Sequence, residues 1–225
     1  MNKEKKLIIV GDSAFAEVAY EYFTHDSPYE VVGFSVEDAY RKKDKLFDLP
    51  IVSFESIQSL FPPDEYWIYV AVVYTKLNRL RTRLCQEAKN KGYSLASYVS
   101  SRSFIWSNVE IGEHCFIFED NTVQPFVHIE NNVVLWSGNH IGHHSVIRDN
   151  CFISSHVVIS GFCDIGENCF FGVNSTLGDR VTVGKDCLIG AGAVITKSTE
   201  ENRIYQGNPA VPGKVPTKRY YKIKE

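Results

Sequence analysis

Large apolar residues recur at every sixth position from Val99 to Ile195 without a break: Val99, Ile105, Ile111, Ile117, Val123, Ile129 and onward through Phe171, Leu177, Val183 and Ile189. Two positions before each stands a residue that is mostly small, among them Ser103, Cys115, Asn121, Ser145, Cys151, Cys163, Cys169, Ser175, Cys187 and Ala193. A six-residue internal period is the signature of a parallel β-helix. Residues two apart on a strand share a face. The small and the large residue therefore both point inward, the one between them points outward, and the next three positions turn the chain. Glycine fills the first of those three at Gly112, Gly142, Gly166, Gly172, Gly178, Gly184 and Gly190. The expectation is that it supplies the dihedrals of a tight corner. Three hexads close one triangular coil of 18 residues, and residues 18 apart stack at the strand spacing, about 4.8 Å.

The chain ahead of the repeat has another rhythm. Lys6–Val10 is a continuous apolar run, as in a buried parallel strand. Gly11-Asp12-Ser13 breaks it, and Ala14–Phe23 reads as a helix. Tyr29–Ser35 and Tyr66–Val73 read as a second and a third strand, Phe54–Leu60 as a short helix, and Lys76–Lys91 as a helix stopped by Gly92. Alternating strands and helices predict an α/β unit with a parallel sheet. The expected domains are 1–97, a Rossmann-like α/β unit; 98–200, the β-helix; and 201–225, a C-terminal loop and tail.

Composition narrows the picture. A net charge of -3 over 225 residues argues against nucleic acid as a partner. No apolar run approaches the roughly 20 residues of a membrane helix, and the N-terminal apolar run is too short for a signal peptide. Five of the six cysteines, Cys115, Cys151, Cys163, Cys169 and Cys187, fall in the small inward register. They read as reduced structural residues, which suits a cytoplasmic protein.

Two stretches carry candidate chemistry. The turn Gly11-Asp12-Ser13 joins a strand to a helix and offers N–H groups and a helix dipole to a phosphate. It lacks the G-x-G-x-x-G of a dinucleotide site, and a turn that binds nothing stays open at this point. The stretch Asn139–Gly161 holds His140, His143, His144 and His156. His143 and His144 follow Ile141 by two and three positions and so sit at a corner of the prism. Gly161, 18 residues after His143, is expected to stack on it. A histidine beside an exposed backbone N–H provides a base and an oxyanion donor for one reacting atom. A zinc site of His140, His144 and His156 is disfavoured, because their spacings do not match the 18-residue stack; no metal is expected.

On these residues the coils resemble the left-handed β-helix of the hexapeptide-repeat acyltransferases. The whole chain is similar to the bacterial acyltransferases that acetylate nucleotide-linked amino sugars, those of perosamine, 4-amino-4,6-dideoxyglucose and bacillosamine synthesis, and to the NeuD-type sugar O-acetyltransferases. The resemblance implies a homotrimer with intersubunit sites. It implies acetyl-CoA as co-substrate and transfer to the amine of a nucleotide sugar for surface polysaccharide, such as lipopolysaccharide, or glycan synthesis. The alternative is O-acetylation of a free or lipid-linked sugar. The family's catalytic histidine falls on His143, and the acid that follows it is here His144; His144 and Asp149 both stand as groups that could orient the base. The N–H that meets the thioester carbonyl falls on Gly161. The CoA track falls on Gly172-Val173-Asn174, Gly190-Ala191-Gly192 and the loop Gly207-Asn208-Pro209-Ala210. The nucleotide-sugar site falls on Gly11, Asp12 and Ser13, with Phe34, Ser35 and Glu37 near the nucleoside. Ala14-Phe15 departs from the family's Gly-His, and Ser35-Val36-Glu37 replaces its acidic pair.

Overall fold

The computed structural model describes residues 3–207 and Val215. The N-terminal unit is built on β1 (Lys5–Val10), α1 (Ala14–His25), β2 (Tyr29–Val36), β3 (Lys45–Leu46), β4 (Leu49–Ser53), β5 (Tyr66–Val70), α2 (Arg79–Asn90) and β6 (Ser94–Leu95). The strand order is β3-β4-β2-β1-β5-β6, parallel except for β3. The apolar run of β1 lies centrally, between β2 and β5. The chain crosses to opposite sides of β1, so the carboxyl ends of these strands open a crevice. Three sequence expectations shift here. The third expected strand stops at Val70, and residues 71–73 leave the sheet. The second helix starts at Arg79 and not Lys76, because Lys76, Leu77 and Asn78 take left-handed φ values of 52, 50 and 66°. The pair β3 and β4 was not expected; Leu49–Ser53 is short and carries Pro50.

From Tyr98 the chain winds as a parallel β-helix of two-residue strands, in three sheets of seven, six and five strands. Register is 18 residues throughout: Phe116 pairs with Val134 and Val134 with Phe152 on the first face, Thr122 with His140 and His140 with Val158 on the second, His128 with Val146 on the third. The inward apolar column is fully buried from Ile117 to Ile189. The six cysteines are free and buried.

The role expected of the corner glycines is corrected. Left-handed φ occurs at the third turning position, and mostly non-glycine residues occupy it, including His114 (57°), Asn132 (57°) and His144 (58°). The glycines at the first position, Gly178 excepted, serve close approach of successive coils. A Cβ on Gly142 would lie 2.5 Å from the Ser160 carbonyl carbon, and one on Gly166 would lie 2.5 Å from the Lys185 nitrogen.

The outward residues of the first face are largely withdrawn from solvent as far as Phe152, whereas Ile204 at its far end is exposed. Phe116, Val134 and Phe152 are buried against Phe15, Ala19 and Phe23 of α1 and Tyr69 of β5. The two units therefore share an aromatic core. At the edge between third and first faces a polar ladder continues the junction. Val70 N–H donates to His114 Nε2 (2.8 Å), and His114 Nδ1 meets Asn132 Oδ1 (2.9 Å). Asn132 donates to Asn150, Asn150 to Asn168 and Asn168 to Asp186. Buried Arg81 of α2 donates to both the side chain and the carbonyl of Asn132.

Candidate active site

The edge between second and third faces carries His143, His144 and Gly161. The inward Ile141 fixes the register, and the two histidines then project from the corner, exposed. Gly161 stacks on His143 as expected: a Cβ there would lie 2.9 Å from His143 Cε1 and 3.1 Å from Nε2. Among the described residues the Gly161 N–H meets no acceptor. The imidazole and the Gly161 backbone are therefore neighbours on adjacent coils.

His143 is held from both ends. Its N–H donates to Gln124 Oε1 (2.9 Å), and its Nδ1 lies 3.1 Å from His144 Nδ1. Of the two candidate orienting groups, the structure places His144 on His143. Asp149 lies on another edge, accepting from Asn131 N–H at 2.8 Å. His144 is itself clamped between the rings of Phe126 (4.6 Å) and Phe162 (4.8 Å), and the Arg180 guanidinium caps Phe162 at 4.4 Å. Asp179 brings a carboxylate oxygen within 3.3 Å of a Cβ at Gly161. Sequence reasoning did not select Gln124, Phe126, Phe162 or Asp179. The signal was present: Phe126 and Phe162 are His144 minus and plus 18, and Asp179 is Gly161 plus 18.

A cavity of ≈ 250 Å³ lies at the carboxyl ends of β1, β2 and β5, lined by Gly11, Asp12, Ser13, Glu37, Tyr40, Val72, Thr75 and Leu84 among others. It brings Gly11, Asp12, Ser13 and Glu37 together. Phe34 does not reach it; the ring is buried in the core beside Tyr20 and Phe47. Ser35 is also fully buried, and its carbonyl accepts the Gly11 N–H at 2.8 Å. Ser13 caps α1 without a side-chain bond, which leaves its hydroxyl free for another partner. A second cavity of ≈ 250 Å³ shares Val73 with the first and runs past Tyr74, Trp136, Phe152, Ser154 and Ser155 to Val173. A cavity of ≈ 360 Å³ between Tyr22, Asp26, Tyr98 and Glu119 contains none of the expected site residues.

The expected CoA residues Val173, Asn174, Ala191 and Gly192 are exposed on the edge between first and second faces. Gly207 packs directly on the Ala191 carbonyl, joining the C-terminal segment to this edge. Asn208, Pro209 and Ala210 lie outside the described residues. Among the described residues no group of three His, Cys, Asp or Glu side chains is placed to hold a metal, and no helix is long and apolar enough to cross a membrane. One chain thus carries its candidate site in pieces, with the second face between His143 and Val173.

Comparison with known proteins agrees with this architecture. Residues 126–161 match the family described as bacterial transferase hexapeptide (six repeats), and residues 164–197 match the hexapeptide repeat of succinyl-transferase. No curated protein matches the chain. The acetyltransferase domain of PglB from Neisseria gonorrhoeae superposes with a TM-score of 0.81 at 23% identity, covering 93% of this chain and 100% of that one. A variant of perosamine N-acetyltransferase from Caulobacter crescentus, in complex with CoA and GDP-perosamine, superposes with a TM-score of 0.79 at 20% identity, covering 90% and 93%. WeeI from Acinetobacter baumannii gives 0.70 at 21% identity, covering 92% and 99%. The coils over 126–161 and 164–197 therefore match hexapeptide repeats. The whole chain has the fold of these acetyltransferases, an α/β unit followed by a β-helix, as the sequence resemblance implied.

Proposed function

We propose that this protein is an acetyl-CoA-dependent N-acetyltransferase acting on the amine of a nucleotide-linked amino-deoxy sugar. The observation that carries the reading is the His143 imidazole stacked on Gly161, whose N–H has no acceptor among the described residues. The sugar amine attacks the thioester carbonyl of acetyl-CoA. His143 Nε2 accepts a proton from the amine as the C–N bond forms. The negative charge that develops on the carbonyl oxygen meets the Gly161 N–H, where a fixed donor costs no reorganisation. Collapse of the tetrahedral species breaks the C–S bond, and the proton on His143 passes to the departing thiolate. In this mechanism His143 Nδ1 donates to His144 Nδ1, which leaves Nε2 free as the acceptor. The cysteines are buried and play no part as acyl carriers.

The cavity at Gly11, Asp12, Ser13 and Glu37 takes the nucleotide diphosphate, and the sugar extends along the second cavity toward Val173. CoA runs along the Gly172–Asn174 and Gly190–Gly192 edge. A homotrimer brings the pieces together between copies. Its support is the second face, whose outward residues Phe104, Thr122, His140, Val158, Thr176 and Val194 include no Asp, Glu, Lys or Arg. The third face instead carries the pairs Glu110–His128 and Asp164–Arg148. In the cell the enzyme works in the cytoplasm, on precursors of surface polysaccharide such as lipopolysaccharide.

The deciding experiment incubates the protein with acetyl-CoA and a panel of uridine-, thymidine- and guanosine-diphosphate amino sugars, and follows product mass. One of them gains a single acetyl group on nitrogen. Acetylation confined to the hydroxyl of a free or lipid-linked sugar would establish the O-acetyltransferase reading instead.

A further inference from the structure

We propose that Lys43 is the cation that receives the diphosphate of the acceptor; the inference rests on the reading of the Gly11 cavity as the nucleotide-sugar site. The charged side chains lining that cavity are Asp12 and Glu37, both acidic. A diphosphate entering it meets the amino end of α1, where the N–H groups of Ala14 and Phe15 have no backbone acceptor among the described residues. The helix dipole supplies only about half a positive charge there, against the carboxylate of Asp12 on the same turn. Arg83 grips both oxygens of Glu37 at 3.0 and 2.9 Å and also pairs with Glu87, so its single charge is spent on two carboxylates. That pairing occupies Arg83 and leaves the diphosphate without a counter-charge.

Lys43 fills that gap by position. Its Nζ donates to the carbonyl oxygen of Asp12 at 3.1 Å, which sets an ammonium directly on the phosphate turn. It forms no ion pair among the described residues, whereas nearby Arg41 pairs with Asp44 at 3.5 Å. Lys42 and Lys45 flank it without a hydrogen bond to the turn among the described residues. The loop is anchored at its base, where Tyr40 and Arg41 N–H groups donate to the Glu37 carbonyl and the Asp38 N–H donates to the Glu55 carboxylate. The lysine is therefore an exposed point charge on a loop anchored at its base. An ammonium has three donors, so holding the Asp12 carbonyl leaves two for phosphate oxygens. Sequence spacing does not show this, because 31 residues separate Lys43 from Asp12.

The test is calorimetric binding of UDP, dTDP and GDP, each beside its nucleoside, to the full chain and to Lys43→Gln and Lys43→Arg. The preferred diphosphate binds Lys43→Gln roughly tenfold more weakly, the scale of one lost charge-assisted contact. Its nucleoside binds the wild type and Lys43→Gln equally, and Lys43→Arg keeps most of the diphosphate affinity. Equal diphosphate affinity in wild type and Lys43→Gln overturns the role of Lys43 while leaving the nucleotide site intact. Equal weakening of nucleoside and diphosphate also overturns it, because the lost contact is then not to phosphate. Failure of all three diphosphates to bind the wild type overturns the nucleotide-sugar reading itself.

Discussion

His114 ties the two units together and makes their junction sensitive to acid. The imidazole is fully buried, and burial, reinforced by the Arg81 charge, pushes its pKa down to about 3. Both nitrogens are committed: Nε2 accepts from Val70 N–H and Nδ1 faces the Asn132 oxygen, so the ring is a neutral Nδ1–H tautomer. In the unfolded chain the same group titrates near 6.5. A folded value below the unfolded one means that the unfolded state binds the extra proton. The stability from this site is therefore complete above about pH 6.5 and is lost as pH falls from there toward 3. Each unit is worth about 1.4 kcal/mol, so the descent to pH 5 removes about 2 kcal/mol. His114→Gln deletes the titration while leaving an amide able to accept from Val70. Urea unfolding of both proteins at pH 7.5 and 5.0, at one protein concentration, isolates the term. The other histidines are common to both proteins and cancel. Wild type loses about 2 kcal/mol more than the variant between the two pH values. Parallel losses would refute the assignment of a buried neutral imidazole.

The remaining predictions concern the proposed site. His143→Ala lowers kcat by roughly 10²–10⁴-fold, the range for a lost general base, with CoA affinity retained; a near-normal kcat would move the proton to another group. Gly161→Ala places a methyl 2.9 Å from His143 Cε1 at a backbone position without left-handed φ, so the protein folds and kcat falls on the order of 10²-fold from misplacement of the base. Unchanged kinetics there would separate Gly161 from the chemistry. Ala191→Trp raises the KM for acetyl-CoA and leaves thermal unfolding unchanged, since Ala191 is exposed; an unaltered KM would put the donor in another groove. Finally, inactive His143→Ala and cavity-blocked Ser13→Trp chains, unfolded and refolded together, recover activity if each site joins His143 of one copy to the cavity of another. No recovery would mean that both parts act within one chain.

The repeat was legible because its cause is local. A two-residue strand can bury only its inward side chains, so every coil must repeat the same small and large pair, and the sequence displays that need directly. The 18-residue stack made His143 and Gly161 neighbours before any coordinates, and the same offset reaches Phe126, Phe162 and Asp179. What covers each face was not written in the period. Phe116, Val134 and Phe152 occupy the same outward register as His140 and Asp164, and only the docking of α1 separates a buried outward residue from a solvated one. Their bulk was the available clue. The glycines misled for a related reason: close approach between coils and left-handed φ both select glycine, and the left-handed position lies two residues further on, where Asn, His and Asp predominate. Phe34 and Ser35 were expected at the nucleoside from the resemblance, but strand parity does not tell which side of a buried sheet opens to the cavity.

The division of the site follows from the same geometry. A triangular prism has three edges, and the shared aromatic core fixes the N-terminal unit on one face. Its cavity then leads past Trp136 and Ser155 to the edge that carries Val173, while His143 projects from the next edge. No rotation about a side chain moves a residue from one edge to another, because the inward column of Ile141, Ile159 and Leu177 is fully buried and sets the register. Under the proposed function, a reacting amine brought along the cavity of one chain meets an imidazole on another edge when a second prism is laid against the second face. Assembly is on this view part of the catalytic apparatus. Substitution of an exposed second-face residue such as Val158, which touches neither donor nor acceptor cavity, should impair catalysis and assembly together.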